Sequence, residues 1–303
     1  MRPEASNLPA LRPMQPSISV VVTTYRSPGT LVLVMTALAR QSVAPDEVVV
    51  ADDGSSGLTL QSLREFGAEA PFRLLHVWQP DAGFRAARGR NSAIHFSSGD
   101  VLAFLDQDTL PHRGWLEAHA SHADAGRVCL GDILRMREED QARLTRHAVA
   151  EGAFEQWHSE PEWCGLRRRQ RRCALYALLR RMGLGLKSKP RLMSGNFAAR
   201  RVDLARVNGF DEEYVGWGQE DDDLGRRLYA SGVRPVPLVA EAIVTHIPHP
   251  PRRPRRWEDG ANRFRFQRHD LPARCAAGLD AHPHPDVRLT VVGPRSGPGA
   301  GRA

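Results

Sequence analysis

No apolar run in this chain is long enough to cross a bilayer. The longest near-continuous stretch, residues 31–39, falls far short of the about 20 residues that a spanning helix needs. The opening residues, MRPEASNLPALRPMQPS, have no apolar core of the kind a secretory signal carries. Residues 1–16 are therefore expected to be a disordered, proline-bearing lead-in. Cysteine is scarce: Cys129, Cys164, Cys173 and Cys275 form no C-x-x-C pair, and no histidine spacing suggests zinc. Reduced thiols and a cytoplasmic setting are the expectation. Both common glycine-rich phosphate motifs are missing. There is no G-x-x-x-x-G-K-[ST], and no G-x-G-x-x-G follows the first apolar run. A nucleotide bound here must be held by carboxylates and a metal rather than by a glycine cradle. Aromatic residues make up 7% of the chain and do not interleave with its basic runs. That argues against nucleic acid as a partner.

What is present is enough for a sizeable core. Of 303 residues, 41% are hydrophobic. The formal charge of +7 is unevenly spread, with arginine clusters at 167–172 and 252–256 and an acidic run at 220–223. A basic excess suits a polyanionic substrate or an anionic surface.

The chain is organised around residues 101–108, VLAFLDQD. An apolar run closing on two carboxylates reads as a strand buried on both faces in a parallel sheet. Such strands end at the rim where open α/β sheets bind ligands. If the strand continues through Asp108, Asp106 and Asp108 project to one side. Two carboxylates aimed at one point invite a cation, and hard oxygens suit Mg²⁺ or Mn²⁺. An Asp-rich turn would look the same locally, so the neighbouring segments must decide.

Those neighbours alternate strand and helix from residue 17 to about 125. Strands are expected at 18–22, 47–51 and 72–78, with helices from 28 and over 86–96, which implies a parallel sheet with right-handed crossovers. Polar residues gather at successive strand ends: Thr23 and Tyr25, then Asp52 and Asp53, then Asp106 and Asp108. Arg85, Arg88 and Arg90 lie near the same rim. Residues 128–134 read as one further strand and 233–246 as another, ending in His246. Residues 135–190 form a basic helical insertion. Its Leu and Arg suit either an anionic lipid surface or packing on the protein's own body. Four acids, Glu220 to Asp223, open a helix carrying Leu224 and Leu228. Acids there complement the helix dipole by about 0.3–1 kcal/mol each, but four in a row exceed that need, and Trp217 with Gly216 and Gly218 just before them suggests a site. Residues 248–282 are expected to pack on the body. Residues 283–303, rich in Pro, Gly and Arg, are expected to be disordered.

Taken together, ISVVVTTY, VVVADDGSS, GFRAARGRN, FLDQDTLP, MSGNFAARR and GWGQEDDDLGRRL resemble the family-2 glycosyltransferases of GT-A fold. The second half is similar to the C-terminal region shared with galactosyltransferases and chondroitin-type polymerases. The resemblance covers residues 17 to about 247. It implies a single, mostly parallel Rossmann-like α/β sheet flanked by helices. A nucleotide-sugar half would span 17–125 and an acceptor and catalytic-base half 126–247. It also implies a metal-dependent inverting transferase that moves a sugar from a UDP-sugar to a glycan or lipid-linked glycan. Thr23, Tyr25, Asp53, Arg85, Arg90 and Asp106 would hold the donor. Asp106, Asp108 and His246 would hold Mn²⁺ or Mg²⁺. Asp221 would be the general base with Glu220 beside it, and Asn196, Trp217 and Gly218 would line the substrate cleft. The sequence departs from the pattern at Arg26, where Asn is common, and over 135–190, which match no block of the family. Two other readings compete: a non-catalytic relative holding a polyanion or a membrane through its arginines, and a metal-dependent nucleotidyltransferase, which would not need the W-G-x-E-D block.

Overall fold

A computed structural model describes residues 16–185, 188–249, 262–268 and 272–293. The expected lead-in, save Pro16, and the tail beyond 293 lie outside these residues.

The chain runs β1 (Ile18–Thr24), α1 (Pro28–Ala39), β2 (Glu47–Asp52), α2 (Gly57–Gly67), β3 (Arg73–Trp78), α3 (Ala86–Phe96), β4 (Val101–Asp106) and β5 (Thr109–Pro111). It continues with α4 (Trp115–His122), β6 (Arg127–Leu130), β7 (Asp132–Arg135), α5 (Arg146–Glu151), α6 (Glu160–Arg181), β8 (Asn196–Arg200), α7 (Arg201–Arg206) and α8 (Glu220–Ala230). The last elements are β9 (Arg234–Pro237), β10 (Ile243–His246), α9 (Asn262–Gln267) and β11 (Arg288–Val291).

Eight strands form one sheet in the order β11-β3-β2-β1-β4-β8-β6-β9. β1 lies between β2 and β4 and pairs in parallel with both, Val21 opposite Val49 and Phe104. The chain therefore leaves β1 toward one side and later returns on the other, which opens a crevice at the strands' carboxyl ends. Period-2 alternation sends Val20 and Val22 to one face, against Leu31, Val34 and Leu38 of α1, and Val21 to the other, against Ala87 and Ile94 of α3. Both faces are covered, so β-branched residues run uninterrupted along the strands. Phe104 of β4 stacks on Phe197 of β8 with ring centroids 4.3 Å apart, and Phe210 meets both edge-on.

Several expectations are corrected. The run 128–134 is two strands in two sheets, broken at Gly131. A Cβ at Gly131 would meet the Asn196 amide within 2.2–2.3 Å, so only glycine lets the chain turn there. The run 233–246 likewise divides into β9 and β10 around the turn where Ala242 N–H donates to Leu238 O at 2.7 Å. β10 then joins β5 and β7 in a small second sheet. β4 stops at Asp106, where the Thr109 hydroxyl bonds both the N–H and the carbonyl of Asp106 and turns the chain into β5. Asp108 is therefore off the strand, and strand alternation does not set its direction. Residues from 283 were expected to be disordered, yet β11 pairs antiparallel with β3 at the sheet edge. The basic insertion forms α5 and α6. The α6 start is fixed by a capping box between Ser159 and Glu162, and α6 buries only Leu166 and Cys173.

Asn196, expected in the cleft, is fully buried as a polar keystone. It accepts from Trp115 Nε1 at 2.8 Å and meets His119 Nε2 at 3.0 Å. It donates to the carbonyls of Asp132 and Ala242, both at 2.8 Å. It thus ties α4, β7 and the turn before β10 to β8. Each buried polar group left without a partner costs about 1–3 kcal/mol, so Asn196→Ala is expected to lose at least about 3 kcal/mol of stability. Urea denaturation of both proteins measures this, and a loss below about 1 kcal/mol would contradict the keystone role.

Candidate active site

The rim at the ends of β1, β2 and β4 is knit by side chains. Gln107, which looks like a spacer in D-x-D, clamps β1 to β4. Its carbonyl accepts from the Thr24 hydroxyl at 2.6 Å and from Tyr25 N–H at 2.9 Å, and its amide donates to Tyr25 O. Thr23 donates its hydroxyl to Asp106. Tyr25 OH and the Arg26 guanidinium both reach Asp81 Oδ2, at 2.9 and 2.8 Å. Asp52 turns inward to His76 and to Ser55 N–H, both at 2.8 Å. Asp53 faces the rim, accepting from Gln79 Nε2 at 2.6 Å and Arg85 N–H at 2.7 Å. Burial raises the Asp53 pKa in spite of these bonds. The Arg85 guanidinium itself bonds Pro80 O.

A second group forms across the small sheet. β10 pairs with β5 so that His246 lies opposite Thr109, and Ile247 N–H donates to Asp108 O at 2.8 Å. This register brings Asp108 beside a histidine far away in sequence. His246 Nε2 stands 3.9 Å from Asp108 Oδ1, and His249 Nε2 stands 3.3 Å from Asp108 Oδ2. The ligand atoms of the three residues lie within 4.8 Å of one another. Asp106 is not in that cluster. Burial, with His249 and Arg135 nearby, pushes the His246 pKa down to about 4, so its imidazole is neutral at neutral pH and has a lone pair to offer a cation. One carboxylate and two imidazoles are a donor set that fits a divalent metal. Sequence reasoning missed His249, whose signal was the H-x-x-H spacing from His246.

The third group sits at the start of α8. The loop before it runs through left-handed backbone at Gly216, Gly218 and Gln219, with φ of 84°, 103° and 71°. Gln219 carries a side chain in that conformation, an uncommon state. The four acids that follow have different partners. Asp223 takes Arg226 and Arg227 at 2.8 and 2.6 Å. Asp222 takes Arg191 Nε at 2.9 Å. Glu220 takes Arg90 at 3.1 Å. Among the described residues, Asp221 forms no ion pair. Its hydrogen bonds come from backbone N–H groups, Asp222 at 2.7 Å and Ser194 at 3.4 Å. Burial, then Glu220 and Asp222, raise its pKa well above the ordinary carboxylate range. Trp217 is 47% exposed, and the Gly218 carbonyl accepts from Asn262.

Two connections join these groups. Arg90, buried on α3, donates 3.1 Å bonds to Asp106 on one side and Glu220 on the other. Burial works against its charge, but Asp106, Glu220 and Asp221 outweigh it and hold the guanidinium charged. The segment Met193–Gly195 runs past both carboxylates. A Cβ at Gly195 would lie 2.7 Å from Asp106 Oδ2, while Ser194 N–H points at Asp221. Beside them opens a cleft of about 760 Å³ whose walls include Asp106, Asp108, His246, His249 and Met193, with Gly165 and Arg169 of α6 opposite. Thr23, Asp53, Asp221 and Trp217 lie outside those walls.

The family model for "Glycosyl transferase family 2" matches residues 19–183. The chain belongs to that family. A second model, described as the N-terminal domain of galactosyltransferase, matches residues 182–250 of this family-2 glycosyl transferase. Over 245 residues it is 34% identical to validoxylamine A glucosyltransferase of Streptomyces hygroscopicus subsp. limoneus, covering 77% of this chain and 52% of the relative. Over 252 residues it is 27% identical to chondroitin synthase of Escherichia coli, covering 76% and 35%. The chain thus spans about half the length, or less, of these curated relatives. Among solved structures it resembles a mannosyltransferase of Pyrobaculum calidifontis in complex with GDP-Man and Mn²⁺ (TM-score 0.51, 20% identity, 80% of this chain and 59% of that one). It also resembles S. aureus TarS 1-349 in complex with UDP-GlcNAc (TM-score 0.50, 18% identity, 78% and 59%). At such identities the likeness is one of fold, the GT-A arrangement.

Arg90→Met removes one charge from between two carboxylates. Breaking a buried pair from one side typically costs about 3–5 kcal/mol, and Glu220 is the more buried partner. Thermal or urea unfolding should register a loss of that order in this family-2 enzyme fold. Arg90→Lys should recover only part of it, because an ammonium lacks the fork that spans both carboxylates. Equal stability of wild type and Arg90→Met would refute the bridge.

Proposed function

We propose that the chain transfers a sugar from a nucleotide-sugar donor, a UDP-sugar, to a hydroxyl of a glycan or lipid-linked glycan, with inversion at the anomeric carbon. The observation that carries this reading is Asp221. It is the one acid of the α8 cluster without an ion-pair partner among the described residues, and it is joined through Glu220 and Arg90 to the donor-side carboxylate Asp106. Membership of the family and fold neighbours solved with GDP-Man and with UDP-GlcNAc support a nucleotide-sugar donor.

In this reading Asp53 accepts from the base edge, while Thr23 and Tyr25 line its pocket. Asp108, His246 and His249 hold a divalent cation. Two imidazoles beside a carboxylate favour Mn²⁺ over Mg²⁺, which prefers oxygen ligands. Once bound, the cation offsets charge on the departing diphosphate. Asp106 stays beside that site, its carboxylate oriented by Arg90 and Thr23. Asp221 takes the proton from the acceptor hydroxyl as that oxygen attacks the anomeric carbon opposite the nucleotide. Its raised pKa brings its basicity closer to working pH, which is where a general base is most effective. Glu220, held by Arg90, keeps the neighbouring charge fixed. Exposed Trp217 offers the acceptor ring an aromatic face.

Asp221→Asn should lower kcat by about 10²–10⁴-fold and leave donor binding intact. Only the ionised carboxylate can accept the proton. Because burial and Glu220 raise its pKa, kcat/KM should begin to fall well above the ordinary Asp value of about 3.9 as pH is lowered, and Asp221→Asn should lack that limb. Asp108→Ala should abolish Mn²⁺ binding in calorimetry, and chelation of the wild type should stop UDP-sugar turnover. Turnover of Asp221→Asn at the wild-type rate would sink the assignment of the base.

A peripheral contact with an anionic membrane is supported by the outer side of α6. Leu175, Leu178 and Met182 follow at helical spacing and are 52%, 51% and 62% exposed, with exposed Arg168, Arg171 and Arg172 one to two turns before. Among the described residues no helix is long and apolar enough to cross a membrane. Cosedimentation with phosphatidylserine-containing vesicles is expected, weakened by Leu175→Glu/Leu178→Glu. Equal sedimentation of that variant would reject this face.

A further inference from the structure

Away from the cleft, three metal-ligating side chains from two distant segments converge on the outer side of α3. Glu212 lies in the turn before α8, and His282 and His284 lie in the segment leading to β11. His282 Nε2 is 2.6 Å from Glu212 Oε1, and His284 Nε2 is 3.1 Å from Glu212 Oε2. All three ligand atoms fall within 4.8 Å of one another. The two rings meet edge to face with centroids 4.4 Å apart. Both imidazoles place their Nε2 atoms against the same carboxylate.

The surroundings match those of metal ligands. The second ring nitrogen of His282, Nδ1, is 3.3 Å from the Ser92 hydroxyl, and Asn91 donates to Glu212 Oε1 at 2.8 Å. A ligating histidine commonly anchors its other nitrogen on an oxygen in this way, and a ligating carboxylate is itself hydrogen-bonded. The His282 side chain is sealed from solvent, while His284 is 24% exposed, which leaves an entry path and a position for water. Bonds of about 2.0–2.2 Å to nitrogen and oxygen suit a tetrahedral Zn²⁺, and the present separations require only a small opening of the cluster.

We propose that Glu212, His282 and His284 form a Zn²⁺ site that clasps the C-terminal segment onto α3. The location gives it a structural purpose. Arg88 of α3 pairs with Asp286 of the same segment, and Asn91, which donates to Glu212, sits beside the bridging Arg90 in sequence. Asn91 also bonds both the N–H and the carbonyl of Phe210. An ion here fastens β11 to the sheet edge and braces the helix that carries Arg90. The site depends on neither donor chemistry nor the identity of the transferred sugar.

The test uses the full chain carrying Asp108→Ala and His246→Ala, which removes ligands of the cleft cluster. Titrated with ZnCl₂ in a calorimeter, this protein should bind one equivalent, and its Tm should rise with zinc. Adding His284→Asn keeps a hydrogen-bonding amide next to Glu212 but removes the imidazole; affinity should fall at least tenfold and the Tm response should vanish. His284→Cys should restore binding and, with Co²⁺, give a thiolate-to-metal absorption band. Circular dichroism without metal establishes that each variant is folded. Absence of zinc binding in the Asp108→Ala/His246→Ala chain overturns the proposal, as does unchanged affinity on adding His284→Asn.

Discussion

The site depends on one buried guanidinium. Arg90 stands between Asp106, at the end of a central strand, and Glu220, at the start of a helix contributed by the far half of the chain. Without a cation between them, these carboxylates would repel each other across the buried end of α3. With it, they tie the carboxyl ends of the central strands to the α8 acids. A buried charge of this kind is weak evidence for stability in itself. Its value lies in geometry, since the planar fork of arginine imposes direction as well as attraction. Asp221 inherits its position from this arrangement, because it follows Glu220 on the same helical turn.

Local rules left the strongest traces in the sequence. β1, β2 and β4 could be read because they are buried on both faces and their apolar runs are unbroken, and the acids at their ends followed from the crossover rule. The rim carboxylates and the α8 acids also announced themselves as composition, D-x-D and a four-acid run. Breaks imposed from afar could not be read. Gly131 looks like one more small residue in VCLGDIL, yet its neighbour in space is the Asn196 amide. Asn196 itself, a polar residue between Gly195 and Phe197, has the look of a cleft residue. Its burial comes from Trp115 and His119, which lie about 80 positions upstream.

Composition misled in the C-terminal part. Pro and Gly from residue 248 onward argue against a core, yet Leu279, Val287 and Val292 pack on the body, and a strand can be added to a sheet edge without a core of its own. β11 needs only the free backbone groups of β3, and its side chains stay mostly exposed. The same bias hid His249, which sits among prolines yet faces Asp108, and the histidines that close on Glu212. In each case the missing information was a partner rather than a propensity.

The pairing of β10 with β5 has a consequence for which lengths the chain tolerates. Asp108 precedes β5 by one residue, and His246 is read off the ladder opposite Thr109. Asp108 and His246 are therefore indexed to the same set of backbone hydrogen bonds. An insertion between Leu238 and Ile243 that carried the β10 ladder along by one residue would turn His246 to the opposite face and away from Asp108.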